Sequence, residues 1–156
     1  MTDFQGGLEG NGRRFAIVAS RYHEVVTERL VEGARSCLQQ HGAAADDVDV
    51  VWVPGAWELP GAARHVASLG RYDAIVAVGC VIRGETPHFS YVAGHAANGL
   101  GRLALESDAP LTFGVLTTDT AEQAMERAGG KVGNKGWEAA LAALELVGLY
   151  RTLERG

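Results

Sequence analysis

The chain of 156 residues is poor in cysteine and has no apolar run long enough to cross a membrane. Its two cysteines, Cys37 and Cys80, lie far apart and form no Cys-x-x-Cys motif, so we interpret them as buried free thiols. The five histidines show no metal-ligand spacing, which argues against a metal site. The polar, glycine-rich N-terminus lacks the charged and then apolar pattern of a secretory signal. These absences predict a cytoplasmic protein that does not bind membranes.

Charge and length limit the possible classes further. The formal net charge of −5 is spread over residues of both signs, which argues against nucleic-acid binding. A length of 156 residues with 47% hydrophobic residues suits one domain with one core. We expect residues 1–12 to form a flexible arm and residues 13–156 to form the single domain.

Short apolar runs alternate with amphipathic stretches along this domain. We expect strands at 13–20, 49–53, 73–82 and 111–116, and helices at 24–41, 58–69, 88–107, 120–128 and 137–153. The run at 73–82 is almost unbroken, which is typical of a strand covered on both faces. The alternation predicts a central parallel sheet of four strands with helices on both faces. Ligands bind such sheets beyond the carboxyl ends of the strands, where the strand order changes direction.

Polar and aromatic residues follow every predicted strand, as a ligand site at this edge requires. The clusters are SRYH at 20–23, PGAWE at 54–58, RGETPHF at 83–89 and TTDT at 117–120. Tyr22 and Trp57 offer flat apolar faces on which a planar heterocycle can stack, although either ring could instead cover the core. Glu58 could accept hydrogen bonds from ligand hydroxyls, or could only favour the start of a helix.

The segment RGETPH has the features of an anion site. Gly84 permits close approach of a ligand to the backbone, and the following N–H groups precede a helix start. Thr86 adds a hydroxyl, and Arg127 could supply a planar cation for phosphate. The alternative is ordinary capping, with Pro87 at the first helical position. His88 could transfer protons near neutral pH, and its alternative is a surface histidine.

The glycine- and lysine-rich segment GGKVGNKG at 129–136 superficially resembles a P-loop. It follows a helix rather than a strand and contains no Gly-Lys-Ser/Thr, so we do not interpret it as a nucleotide site. Lys131 and Lys135 are then solvated loop lysines, although either could reach an anionic or carbonyl-bearing ligand.

Together, the segments SRYHE, PGAWELP, GCVIRGETPHFSYV, GVLTTDTAEQAMERAG and GNKGWEAALAALEL resemble the lumazine synthase family in order and spacing. The resemblance covers the chain from about residue 13 onward and implies a flavodoxin-like three-layer α/β/α sandwich. Members of the family condense 5-amino-6-(D-ribitylamino)uracil with 3,4-dihydroxy-2-butanone 4-phosphate and need no cofactor. The products are 6,7-dimethyl-8-ribityllumazine, phosphate and water, in the penultimate step of riboflavin biosynthesis.

The resemblance also implies roles for individual residues. It assigns proton transfer to His88, and phosphate binding to Glu85, Thr86 and Arg127. It assigns binding of the pyrimidine and its ribityl chain to Tyr22, Ala56, Trp57, Glu58, Cys80, Val81, Ile82 and Lys135, and it makes Phe113 a residue that reaches into the neighbouring subunit's site. Two positions depart from the family pattern, since Ser90 replaces the usual acidic residue and Trp57 replaces Phe or Tyr.

The family forms pentamers with sites between adjacent subunits, and some members build a hollow icosahedral shell. The short connection at 129–136 resembles that of the shell-forming members, which predicts a sixty-subunit shell here, with riboflavin synthase as a possible partner. Two rival functions share the fold: a flavin- or lumazine-binding module without chemistry, and a purely structural shell protein. His88 and Arg127 favour the enzyme over the flavin-binding module, because a protein that only binds flavin needs neither a proton-transfer residue nor a phosphate-binding arginine.

Overall fold

The computed structural model describes all 156 residues and has a four-stranded sheet at its centre. The strands are β1 (Phe15–Ser20), β2 (Val48–Val53), β3 (Ala74–Ile82) and β4 (Leu111–Thr118). They lie in the order β2-β1-β3-β4, and every neighbouring pair is parallel. The predicted central sheet of four parallel strands is therefore confirmed.

Five helices surround the sheet: α1 (Glu24–Gln40), α2 (Leu59–Ser68), α3 (His88–Glu106), α4 (Ala121–Glu126) and α5 (Lys135–Arg155). Between α4 and α5 the chain forms a small antiparallel hairpin of β5 (Ala128–Gly130) and β6 (Gly133–Asn134). No helix combines the length and the apolar character needed to cross a membrane.

Alternate residues of the buried strands face two separate halves of the core. On β1, Phe15 and Ile17 pack with the helices α1 and α5, whereas Ala16 and Val18 pack with α2 and α3. All six residues of β1 are buried, as expected for an interior strand covered on both faces. The result is the three-layer α/β/α sandwich of flavodoxin-like proteins.

Glycines end the first two helices, as their sequence positions predict. Gly42 follows α1 with a φ of 104°, and Gly70 follows α2 with a φ of 65°. Both angles lie in the left-handed region, which glycine adopts without a steric penalty, so the helices stop where the chain must turn back to the sheet.

Four expectations about local structure are wrong. Strand β4 continues to Thr118 instead of stopping at residue 116, and α4 ends at Glu126 instead of residue 128. The expected loop at 129–136 contains the hairpin, which Gly129 and Gly133 permit with positive φ angles of 104° and 102°. Helix α5 begins two residues early, because the Asn134 side chain caps it by accepting a hydrogen bond from the Trp137 N–H at 3.0 Å.

A charged network joins the amino ends of the strands. Asp73, just before β3, accepts hydrogen bonds from the Arg14 backbone N–H at 2.7 Å and from the Arg151 guanidinium at 2.6 Å. Asp49 on β2 accepts a hydrogen bond from the Tyr72 hydroxyl at 2.6 Å, which raises the pKa of Tyr72. The network links the starts of three strands to the end of α5.

Residues 1–12 contain no helix or strand and lie close to the ends of α1 and α5. The Gly10 N–H donates a hydrogen bond to the His41 carbonyl at 2.8 Å. A methyl group on Gly148 of α5 would lie only 2.8 Å from the Gly7 carbonyl oxygen, so the two backbones approach closely. The arm therefore contacts the domain, and its flexibility remains a prediction.

Candidate active site

A pocket of about 390 Å³ opens at the carboxyl ends of β1 and β3, the neighbouring strands between which the strand order changes direction. Its wall is formed by Tyr22, His23, Val81, Ile82, Arg83, Gly84, Thr86, His88, Phe89 and Val92. Of the predicted site residues, Tyr22, Val81, Ile82, Thr86 and His88 are thus brought together. Hollows of about 580 and 600 Å³ lie elsewhere, between α1 and α5 and near the amino ends of the strands. Position in the fold, rather than volume, singles out the pocket at β1 and β3.

The turn after β1 holds an aromatic pair in a constrained backbone. His23 is the only non-glycine residue with a positive φ, at 63°, a conformation that tends to occur at functional sites. Its ring meets the Tyr22 ring edge-on with the centroids 4.5 Å apart. The Tyr22 N–H donates to the Pro54 carbonyl at 3.1 Å, which ties this turn to the end of β2. Burial lowers the pKa of His23 below 6.5, so the ring is neutral at neutral pH.

The segment after β3 is fastened to the end of β4 by one arginine. The Arg83 Nε donates to the Asp119 carboxylate at 2.8 Å, and the Arg83 N–H donates to the Thr118 carbonyl at 2.8 Å. The same guanidinium lies 4.5 Å from the centre of the Phe89 ring, within the range of a cation–π contact. These contacts fix both ends of the short segment that carries Glu85 and Thr86.

Within that segment the capping alternative is only partly correct. Helix α3 begins at His88, so Pro87 is its N-cap residue and not its first helical residue. The Thr86 hydroxyl accepts the His88 N–H at 3.4 Å, a long contact that leaves most of its bonding capacity for a ligand. The space around Gly84 is open. The segment therefore has space for a small anion against its backbone.

The imidazole of His88 is exposed on the pocket wall at the first position of α3. Its backbone N–H donates to the Thr86 hydroxyl, and its ring has no hydrogen-bond partner in the chain. Both ring nitrogens are thus available to a bound molecule. A neutral imidazole in this position can accept a proton at one atom and return it at another.

The turn after β2 lies beside the pocket and not in its wall. Ala56, Trp57 and Glu58 form a single 3-10 turn in which Ala56 is buried. The Trp57 side chain is 51% exposed, so the ring does not cover the core. It instead stacks on the ring of His95 on α3, with centroids 3.8 Å apart and an interplanar angle of 26°.

Cys80 lies inside β3, where its side chain is buried, and Cys37 is likewise buried on α1. Burial raises the pKa of each thiol to about 11. Both thiols are protonated at neutral pH and are not reactive nucleophiles. The interpretation of the cysteines as buried free thiols is confirmed.

Phe113, Arg127 and Lys135 also lie outside the pocket of the single chain. Phe113 is 44% exposed on the edge strand β4. The Arg127 guanidinium donates to the Gln123 carbonyl at 3.0 Å, and the Lys135 ammonium lies 4.0 Å from the Glu138 carboxylate. Arg127 and Lys135 are close to each other, because the Lys135 N–H donates to the Arg127 carbonyl at 2.9 Å. These three residues therefore do not meet the pocket within one chain.

Among the pocket residues that the sequence reasoning did not select are His23, Arg83 and Phe89. All three belong to the clusters that follow β1 and β3, so their position after a strand was the available signal. The choice among neighbours in a cluster depends on the backbone at each turn, above all on the left-handed conformation of His23.

The sandwich and its pocket define a flavodoxin-like α/β protein with a candidate ligand site beyond the carboxyl ends of β1 and β3. The sequence profile of the 6,7-dimethyl-8-ribityllumazine synthase family matches residues 12–151. A 6,7-dimethyl-8-ribityllumazine synthase of Gemmatimonas aurantiaca is 58% identical over 150 residues, which are 96% of this chain and 92% of that protein. The enzyme of the same name from Aquifex aeolicus is 51% identical over 153 residues, which are 98% and 99% of the two chains. The chain belongs to the 6,7-dimethyl-8-ribityllumazine synthase family.

Proposed function

We propose that the pocket between β1 and β3 joins 5-amino-6-(D-ribitylamino)uracil to 3,4-dihydroxy-2-butanone 4-phosphate. Membership of the family makes the chain an enzyme of riboflavin biosynthesis, and the product is 6,7-dimethyl-8-ribityllumazine. The observation that carries the proposal is the meeting of Tyr22, Thr86 and His88 in one pocket at the point where the strand order changes direction.

The pyrimidine stacks on Tyr22, whose ring is 68% exposed at the pocket rim. Its edge meets the end of β3, formed by Cys80, Val81 and Ile82. The pairing of β3 with β1 ends at Val78, so backbone groups on that side of the strand end can bind ring heteroatoms. The ribityl chain extends toward the turn of Ala56, Trp57 and Glu58, where the exposed Glu58 carboxylate accepts hydrogen bonds from hydroxyl groups.

The phosphate of the second substrate lies against the segment that carries Glu85 and Thr86. The Thr86 hydroxyl and the backbone N–H groups at the start of α3 donate to it, and the positive end of the helix dipole favours its charge. Arg127 of an adjacent subunit adds a planar cation that can bind two phosphate oxygens. Glu85 belongs to this phosphate-binding segment through its backbone, whereas its exposed carboxylate repels the phosphate and weakens binding.

The reaction begins when an amine of the pyrimidine attacks the ketone of the sugar phosphate and water leaves, which gives a Schiff base. Elimination then breaks the bond to the phosphate oxygen, and the second nitrogen closes the ring with loss of water. His88 accepts a proton during elimination and returns it during ring closure. Holding both substrates in reacting geometry supplies the larger part of the acceleration, up to roughly 7–11 kcal/mol.

The site is completed between adjacent subunits of a pentamer. Supporting this, Phe113, Arg127 and Lys135 lie outside the pocket of their own chain, and Phe113 is exposed on an edge strand. We further propose that twelve pentamers form an icosahedral shell of sixty subunits in the cytoplasm, with riboflavin synthase, which consumes the lumazine, as a partner. Size-exclusion chromatography with light scattering tests this assembly, and a mass of five chains would exclude the shell.

The direct test mixes the two proposed substrates with the purified chain and follows lumazine absorbance and phosphate release together. Both signals should rise in equal amounts. A flavin- or lumazine-binding module would bind the product without forming it, and a purely structural shell protein would do neither. Absence of both signals, in protein that is folded by circular dichroism, would reject the proposed reaction.

A further inference from the structure

One face of α3 runs from the pocket to the turn that carries Trp57. His88, Val92 and His95 are spaced by four and three residues, so they lie on the same side of the helix. His88 and Val92 line the pocket, and His95, one turn further on, stacks on the Trp57 indole. The proposed reaction assigns no role to His95.

Within the chain, the Trp57 ring makes its aromatic contact with the His95 ring. The ring centroids are 3.8 Å apart and the planes differ by 26°, a nearly face-to-face arrangement. Half of the Trp57 side chain is exposed, while its neighbours Ala56 and Leu59 are buried and anchor the turn. The backbone is therefore fixed by the core, whereas the plane of the indole depends on the imidazole beneath it.

We propose that His95 is a positioning residue that holds the plane of Trp57 for the aminopyrimidine substrate and its ribityl chain. The inference rests on the proposed function of the site. His95 contacts one face of the indole, and the exposed remainder of the ring can contact the ribityl chain. Because the segment that carries Thr86 lies at the other end of this helix face, the effect is confined to the aminopyrimidine and spares the sugar phosphate.

The kinetic test compares His95→Ala with His95→Phe and the wild type. Loss of a stacked ring corresponds to roughly two- to tenfold weaker binding. We expect His95→Ala to raise KM for the aminopyrimidine by about that factor, with kcat and the KM for the sugar phosphate changed less than twofold. His95→Phe should restore KM because it restores the stack. His65→Ala, at an exposed position on α2, is the matched control.

A second measurement is independent of catalysis. In a Trp52→Phe, Trp137→Phe background, Trp57 is the only tryptophan. His95→Ala should lower its fluorescence anisotropy, and His95→Phe should restore it. An active enzyme whose KM for the aminopyrimidine is unchanged by His95→Ala overturns the proposal, as does unchanged anisotropy. If the wild type forms no lumazine, the proposed reaction fails, and the anisotropy alone decides whether His95 orders Trp57.

Discussion

Replacing Gly136 with alanine tests the close approach of α1 and α5. Gly136 is the second residue of α5 and is buried against α1. An added methyl group would overlap the Leu30 carbonyl oxygen and would lie 2.8 Å from the carbonyl carbon and 3.0 Å from Cα. All of these are backbone atoms, so no side-chain rotation can relieve the clash and one helix must move.

The size of the effect follows from two opposing terms. Overpacking costs about 1–3 kcal/mol, and we take the upper end because the obstacle is a helix backbone. Alanine returns about 1 kcal/mol through its higher helix propensity. The net loss is about 2 kcal/mol, which lowers Tm by roughly 4–8 °C in a domain of this size.

Thermal unfolding at fixed protein concentration measures this loss, since assembly makes Tm depend on concentration. The matched control is Gly61→Ala on α2, where the site of the added methyl group is open, and a gain of about 0.5 kcal/mol is expected there. Movement of α5 should also displace the adjacent Lys135 and reduce activity. A Gly136→Ala enzyme as stable as the wild type would refute the close approach of α1 and α5.

Three further predictions concern the pocket. His88→Ala should lower kcat by about 10²–10⁴-fold with Tm unchanged, and equal steady-state rates would exclude proton transfer by this residue. Glu85→Gln should lower KM for the sugar phosphate severalfold at low ionic strength, and the advantage should shrink with added salt; a KM that does not respond would place the carboxylate away from the phosphate. Because burial lowers the pKa of His23 below its ordinary value of 6.5, its contribution to stability is complete above that pH and is lost as the pH falls. Between pH 7.5 and pH 5, the free energy of unfolding in urea should therefore fall less in His23→Asn than in the wild type. Equal falls in the two proteins would contradict the lowered pKa of His23.

The apolar pattern was sufficient to predict the sheet, and it failed where polar residues continue a strand. The run at 73–82 carries almost no polar residue, so the buried position of β3 was predictable. Strand β4 extends through Thr117 and Thr118 because pairing with Val81 and Ile82 continues there, which composition does not reveal. The hairpin between α4 and α5 depends on positive φ angles at two glycines, and a glycine-rich sequence permits them without requiring them.

The site was predictable as an edge of the sheet and less so as a set of side chains. That Tyr22 and His88 share a pocket follows from the pairing of β1 with β3, which brings the two turns side by side. The separation of Phe113 and Arg127 from that pocket could not be derived from local pattern, because it depends on the path of the whole chain. The resemblance to a family named both residues, and it assigned only Phe113 to the site of a neighbouring subunit.

The charged network around Asp73 lies at the end of the sheet opposite to the pocket. Its contacts use none of the residues that line the pocket, so the starts of the strands are held together independently of that pocket. Changes in the loops around the pocket therefore leave this part of the framework intact. In a protein built in this way, evolution or design can change the ligand-binding residues without changing the contacts that hold the strands together.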